Sequence, residues 1–318
     1  MHTCTLTAPA KINFYIEIIG DRPDGFHELA MVMQSIELAD QVTLQLHPNS
    51  SSGIQVHCDH PLVPADGSNL AYRAAALMRE TFPEAFSQFG SVQITIDKQI
   101  PVGAGLAGGS TDAAAVLVGL DLLWHLGLTQ MELRTLGAQI GSDIPFCIAG
   151  GTALATGRGE QISPLSGFGS LYLVLAKYRQ LSVSTAWAYQ TYRQKFSATY
   201  ISDAEAIVSR HSQLHAAPLI AALMQQDGAA LGQHLHNDLE KVVLPAHPEV
   251  EKLKTAFTAL APLGVLMSGS GPTVFALAQS ADDAERIAQG VREAIDDPTL
   301  ELWVTCCSPA GVQLALSN

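Results

Sequence analysis

The sequence predicts an α+β protein of two domains, and three observations carry that expectation. Strand-like stretches, extended and apolar at residues 4–20, partly alternating at 31–46 and alternating and β-branched at 92–96, precede the glycine loop, so the chain does not open with a βαβ unit. A glycine-rich turn at 101–110 then runs directly into an apolar helical pattern. From about residue 168 the order becomes strand, helix, strand, strand, helix, strand, which suits a split βαβ sandwich. The expected domains are residues 1–165 and 166–318.

Composition narrows the class. The 318 residues are 47% hydrophobic, enough to bury the cores of two ordinary domains. The five cysteines (Cys4, Cys58, Cys147, Cys306, Cys307) are odd in number and lack C-x-x-C spacing, which suggests neither a disulfide framework nor a zinc site and fits a reducing cytoplasm. No leader pattern or long apolar run is seen, so a soluble, untargeted, cytoplasmic protein is expected. A net charge of −13 argues against nucleic acid or an anionic membrane as partner. An anionic substrate would need a local positive site against that field.

The elements follow in order. Residues 4–20 are extended and apolar, interrupted at Pro9. Lys11 is the only charge between Met1 and Ile16, and Asn13 follows it; position alone reads Lys11 as the solvent side of an edge strand, with a site residue as the alternative. DRPDGFHEL at 21–29 is a turn, with Gly25 free to take positive φ. Phe26 and His27 beside it pair a flat ring with a two-sided hydrogen-bonding group, which suits a base or equally a core Phe and a solvated His. Strand material at 31–46 leads to a polar turn at 48–53, and a helix begins near 66 with Ser68 as N-cap.

The strand at 92–96, the loop PVGAGLAGGS and the helix from Thr111 make an anion site: the free N–H groups of the first turn and the helix dipole favour a phosphate. Gly103, Gly105 and Gly108 satisfy G-x-G-x-x-G, but the chain continues into another helix at 129–140 where a dinucleotide fold needs a strand ending in an acidic residue. The Walker pattern is nearer, with Ser110 at the hydroxyl position, yet Gly109 stands where its lysine belongs. This loop must borrow a cation from elsewhere.

After the 129–140 helix, Gly141 suits a helix stop, and Asp143 stands among Ile144, Pro145, Phe146 and Cys147. A carboxylate there either caps a short helix or is kept for chemistry, and position favours the cap. Residues 150–158 read as a hairpin. Beyond them come a strand at 171–176, a loop at 177–185, helical segments at 189–196, 203–211 and 219–235, a strand, glycine turn and strand at 264–278, a helix at 281–293 and a last strand at 302–306.

Three separated motifs, PAKIN (9–13), PVGAGLAGGSTDAA (101–114) and MSGSGPT (267–273), resemble the motifs of the GHMP kinases, the galacto-, homoserine, mevalonate and phosphomevalonate kinases. The resemblance runs from Ala8 to about Phe275 and extends to DGFHEL and GSDIPFCIAGGTALATGRGE. It implies an N-terminal domain like ribosomal protein S5 domain 2 and a ferredoxin-like C-terminal domain. It also implies ATP as co-substrate with Mg2+, and phosphoryl transfer to the tertiary 2-hydroxyl of a cytidine-diphosphate-linked methylerythritol. By motif, Lys11 and Asp143 correspond to the catalytic lysine and base. Pro101, Val102, Gly103, Ala104, Gly105, Leu106, Ala107, Gly108, Gly109, Ser110 and Thr111 correspond to the ATP loop, and Asn13, Phe26, His27, Thr185 and Tyr189 to the substrate site.

Trp187 and Tyr178 are alternatives to Tyr189 as the second ring face. Phe26 replaces the usual Tyr. Ala107, where many relatives have glycine, suggests that this position does not need positive φ. Asp112, often Asn in relatives, is expected to favour the helix dipole rather than to reach magnesium, with Ser110 or Thr111 as the hydroxyl facing metal and phosphates. MSGSGPT either packs behind the loop or touches the ligand. The metal ligands are not assigned, and a monomer or weak homodimer is expected. A different GHMP kinase is the nearest rival and a catalytically silent nucleotide-binding relative the next. A cytidine clamp at DGFHEL has no purpose in the first, and Lys11 with Asp143 none in the second.

Overall fold

A long hairpin is the spine of the molecule. In the computed structural model, which describes residues 2–48, 53–168, 170–201, 203, 205–207, 210 and 216–315, β1 (Thr3–Asp21) pairs antiparallel with β2 (His27–His47) along its length, from Thr3↔Gln45 to Asp21↔His27. Pro9 does not end β1 despite its missing N–H. The ladder instead shifts register between Pro9 and Lys11 and again between Asn13 and Tyr15.

Around this hairpin the described residues form a sheet of order β12-β1-β2-β4-β3. Its further members are β3 (Ile54–Cys58), parallel to β4 (Ser91–Asp97), and the hairpin of β5 (Thr152–Gly157) and β6 (Gln161–Leu165), added through β2. Two late segments return to it: β8 (His236–Asn237) runs parallel to Tyr15 and Ile16, and β12 (Gln313–Leu314) pairs with Leu6 and Thr7.

One face of the sheet is covered by α1 (Leu70–Thr81), α2 (Pro83–Phe89), α3 (Gly108–Trp124), α4 (Gln130–Ala138) and α5 (Ile144–Ala149). Helix α3 is buried on nearly all sides, which explains why it is apolar almost throughout rather than striped. At Gly119 a Cβ would lie 2.7 Å from Leu44 and 2.9 Å from Leu6, so only glycine lets α3 lie this close to the sheet.

The second sheet is antiparallel, in the order β11-β7-β10-β9, from β7 (Tyr172–Tyr178), β9 (Gly264–Met267), β10 (Val274–Ala278) and β11 (Leu300–Cys306). Between β7 and β9 lie α6 (Thr185–Phe196), α7 (Ala217–Gln225), α8 (Gly228–Gln233), α9 (Glu240–Ala246) and α10 (Pro248–Ala259); α11 (Ala281–Ala294) precedes β11. Helix α11 buries Ala284, Ile287, Ala288 and Val291, the i, i+3, i+4, i+7 face expected of its sequence. Each large aliphatic on that face contributes roughly 1.5–3 kcal/mol on burial. The cores are continuous: Phe14 of the first sheet meets Phe275 of the second edge-on, with ring centroids 6.3 Å apart.

Several expected boundaries move for identifiable reasons. Asn69 caps α1 in place of Ser68: its Oδ1 accepts the Ala71 N–H at 2.8 Å, while the Ser68 hydroxyl bonds Asp66. Helix α6 starts at Thr185 because the Ser184 hydroxyl accepts the Trp187 N–H. The 219–235 pattern is two helices, broken where Gln226 turns left-handed (φ 56°) and Asp227 caps the next. The hairpin expected at 150–158 turns at Arg158 and runs on to Leu165. Strand β3 and helix α2 had no expectation. The expected 203–211 helix is described only in part, and its described residues 205–207 and 210 are helical, while the 48–53 turn lies largely outside the described residues.

Candidate active site

A cavity of about 810 Å³ opens between the hairpin, the glycine loop and the second sheet. All of residues 101–110 line it, together with Lys11, Asn13, Phe26, His27, Asp143, Thr185 and Tyr189. Among the residues expected at the ATP loop, Thr111 alone is outside the wall. It is fully buried, as a helix residue about 100° round from Ser110 can be, and Ser110 is the hydroxyl that lines the cavity.

The loop owes its shape to left-handed residues, at Gly103 (φ 64°), Gly105 (φ 75°) and Ala107 (φ 58°). Ala107 corrects the expectation that this position does not need positive φ. It is the N-cap residue of α3 and turns the chain into the helix; a methyl group bears this at a cost of about 1–2 kcal/mol. The loop is anchored to β1 by the Lys11 N–H, which donates to the Leu106 carbonyl at 3.1 Å.

The MSGSGPT turn both backs the loop and faces the cavity. A Cβ on Gly105 would lie 2.4 Å from the Ser268 carbonyl oxygen, and one on Gly269 would lie 2.8 Å from the Gly105 oxygen. The Ser268 hydroxyl donates to that same Gly105 oxygen, while Gly269 and Ser270 line the cavity. Ser270 also bonds Thr185 at 2.9 Å, joining the turn to the start of α6.

Lys11 and Asn13 lie between the first two register shifts of β1, two residues apart and on one face. Lys11 Nζ donates to Asn13 Oδ1 at 2.7 Å and stands 3.8 Å from Asp143 Oδ2. The lysine side chain is 6% exposed and the aspartate 32%. Lys11 is thus a buried part of the cavity wall, not the solvent side of an edge strand.

Asp143 does occupy the N-cap position of α5, but with αR backbone (φ −81°, ψ −16°) its side chain makes no capping bond. Its carboxylate is left facing Lys11 and the cavity. Pro145 in the first turn needs no N–H partner and helps start the helix without a side-chain cap.

Beneath the loop lies a buried cluster. Lys98 Nζ bonds Asp40 and, at 2.9 Å, Asp112 Oδ2, while Asp40 Oδ1 accepts the N–H groups of Gln99 and Ile100. Asp112 is therefore an ion-pair partner inside the protein, not a surface charge on the helix dipole. Burial pushes its carboxyl well above the usual range, with the Asp40 charge adding and Lys98 opposing. Lys98 also lines the cavity and touches the helix start: a Cβ on Gly108 would lie 3.1 Å from its Nζ. Two carboxylates already match this ammonium.

At the far end, the His27 and Tyr189 rings are 5.1 Å apart and tilted by 36°. His27 is held below its ordinary pKa by burial, with Asp21 opposing and Arg193 adding, and its buried Nε2 has no hydrogen-bond partner among the described residues. Phe26 is 47% exposed at the turn. Of the alternatives to Tyr189, Trp187 packs edge-on against His247 and Tyr178 is buried in the core, and neither lines the cavity.

The GHMP kinases N terminal domain family matches residues 69–151, and the GHMP kinases C terminal family matches residues 219–297. Proteins named 4-diphosphocytidyl-2-C-methyl-D-erythritol kinase from Gloeothece citriformis and Acaryochloris marina are 58% and 59% identical to this chain, over 100% and 99% of both sequences. The chain belongs to the 4-diphosphocytidyl-2-C-methyl-D-erythritol kinase family of GHMP kinases. A crystal structure of 4-(cytidine 5'-diphospho)-2C-methyl-D-erythritol kinase superposes with a TM-score of 0.72 at 31% identity, covering 95% of this chain and 98% of that one. Homoserine kinase from Cytophaga hutchinsonii, at 19% identity and a TM-score of 0.75 over 99% of this chain and 98% of its own, shares the fold.

The chain is a small-molecule kinase with a mixed α/β GHMP fold, and three of its site features had no expectation from sequence. Lys98 is one, since its partner Asp40 is 58 residues away. Asn237 is another: its Nδ2 donates to the Met267 and Gly269 carbonyls, both at 2.8 Å, fixing the glycine turn to β8. Arg158 is the third, with its guanidinium 4.9 Å from the centre of the Phe26 ring. Among the described residues no helix is long and apolar enough to cross a membrane.

Proposed function

We propose that the chain transfers the γ-phosphoryl group of ATP to the 2-hydroxyl of 4-diphosphocytidyl-2-C-methyl-D-erythritol, giving the 2-phosphate and ADP for isoprenoid precursor supply by the non-mevalonate route. The observation that carries this reading is one cavity holding the Lys11–Asp143 pair beside the glycine loop and the His27–Tyr189 rings at its other end. The loop and the N-terminus of α3 hold the phosphates. Asp143 accepts the hydroxyl proton as the oxygen attacks, and Lys11 offsets the negative charge that develops there. Asn13, fixed by Lys11, orients a hydroxyl of the acceptor. Phe26 and Tyr189 supply ring faces for the cytosine, with stacking of about 1–3 kcal/mol per base. A neutral His27 offers one donor and one acceptor to its edge.

The cavity wall fits a magnesium ion held chiefly by nucleotide oxygens. It presents the Ser110 hydroxyl and the Asp143 carboxylate, and among the described residues no group of three or more His, Cys, Asp or Glu gathers to hold an ion alone. When bound, magnesium neutralises charge on the β- and γ-phosphate oxygens. A division of the chain near residue 165 puts Lys11, the loop and Asp143 on one side of the cavity and Thr185, Tyr189 and the 268–271 turn on the other. The same reading takes the protein as cytoplasmic, and as a monomer or weak homodimer.

ATP consumption with magnesium tests the reading across four acceptors: the cytidylated methylerythritol, the uncytidylated sugar alcohol phosphate, homoserine and mevalonate. Turnover with the first alone is expected. Equal turnover of the uncytidylated compound removes the cytidine clamp, and no turnover with any acceptor removes the kinase assignment.

A further inference from the structure

Two hairpin tips meet at the base end of the cavity. One carries Phe26, between β1 and β2; the other carries Arg158, between β5 and β6 and flanked by the left-handed Gly157 (φ 71°) and Gly159 (φ 106°). The Arg158 N–H donates to Glu160 Oε2 at 2.8 Å, and its Nη2 donates to the carbonyl of Ala138, the last residue of α4, where the helix dipole favours a cation. So anchored, the guanidinium lies 4.9 Å from the Phe26 ring centre. The other two arginines at this end are paired, Arg22 with Asp24 and Glu28, and Arg193 with Asp21. Arg158 has no carboxylate in ion-pair range among the described residues, so the plane of its guanidinium is free to stack on the ring.

We infer that Arg158 is a positioning residue for the acceptor's nucleobase: it covers one face of Phe26 and fixes that ring as a wall, leaving the opposite face for the base. A base cannot enter between them, because two stacking contacts of about 3.5 Å need roughly 7 Å. Phe26 is half exposed on a turn, and without a neighbour its ring would lose rotamer freedom at the moment of binding. Arg158 removes that loss beforehand. The inference rests on the reading of Phe26 as a face for the base.

The test is inhibition by cytidine, an uncharged nucleoside, measured as Ki in the wild type, Arg158→Ala, Phe26→Ala and the double variant, with KM for ATP read in each. Arg158→Ala is expected to raise Ki about three- to tenfold, the range of a partly exposed cation–π contact. Phe26→Ala should raise it at least as much, and Arg158→Ala should add nothing once Phe26 is absent. KM for ATP should stay constant, which separates the effect from misfolding. An unchanged Ki in Arg158→Ala beside a raised Ki in Phe26→Ala overturns the inference, as does an equal Arg158 effect in both backgrounds. An unchanged Ki in Phe26→Ala instead overturns the stacking reading beneath it.

Discussion

The two ends of the cavity are built differently. At the phosphate end, backbone meets backbone: Gly105 is pressed against Ser268 and Gly271, Leu106 is bonded to β1, and Asn237 bonds the 268–271 turn from below. At the base end, side chains meet side chains on hairpin tips, with Phe26 half exposed and Gly25 facing open space. Phosphoryl transfer needs atoms fixed to fractions of an ångström, which strands and interlocked turns provide. Recognition of a base needs flat faces, which rings on turns provide at lower structural cost. Loss at the first end should therefore appear in the chemistry and in stability, and loss at the second in acceptor affinity.

The largest effect should come from Asp143→Asn. The amide keeps the shape beside Lys11 but cannot take the hydroxyl proton, so kcat should fall by about 100-fold or more with KM for both substrates nearly unchanged. Steady-state kinetics checks this, and wild-type turnover would remove Asp143 from the mechanism. The next effect contrasts two glycines. Gly105→Ala adds a methyl 2.4 Å from a backbone oxygen at φ 75°, and should destabilise the fold and weaken ATP binding together. Gly25→Ala, at φ 85° with nothing within 4 Å, should cost only the conformational term of about 1–2 kcal/mol and leave KM for ATP alone. Denaturant unfolding of the pair measures the difference, and equal losses would mean that contact with the turn contributes nothing.

Asn237→Ala tests the support beneath the loop. It removes two donors from buried carbonyls, a loss of about 1–3 kcal/mol in stability, and frees the turn that seats Gly105. KM for ATP should rise while Ki for cytidine stays put. A cytidine Ki that rises in parallel would show that the two ends are not independent.

What the sequence disclosed follows the same division. The loop and α3 were legible because glycines at fixed spacing, a β-branched strand and a helical pattern lie within thirty or so residues of one another, where local rules apply. Ala107 was misread because a residue type constrains φ only statistically, and the packing that holds it left-handed comes from elsewhere. The role of Asp143 was undecidable from position, since a cap and a free carboxylate share one N-cap position and differ only in side-chain direction. Lys98 and Asn237 were missed because their partners are distant in sequence: Asp40 from β2 joins Lys98 and the loop root, and β8 reaches across to the 268–271 turn. Asp112 was misread because its nearby partner Lys98 is set in place by Asp40. Resemblance to a family pointed to Lys11 and Asp143, which the structure brings together in one cavity, but the buried supports beneath them became visible only in three dimensions.

The smallest effect expected is also the most specific to the base end. Burial lowers the His27 pKa below its ordinary 6.5, so the folded protein binds fewer protons there than the unfolded chain. The stability that follows from this is present above pH 6.5 and is lost as pH falls through the folded-state pKa. Binding should follow the same direction, because the neutral ring offers both a donor and an acceptor and the charged ring two donors. Cytidine Ki should then be flat above pH 6.5 and rise below it. In His27→Gln, which keeps a neutral donor and acceptor without a titrating group, the rise should vanish while KM for ATP keeps whatever pH dependence it has in the wild type. A cytidine Ki that rises identically at low pH in both proteins would place the titrating group elsewhere and leave Tyr189 and Phe26 to recognise the base without His27.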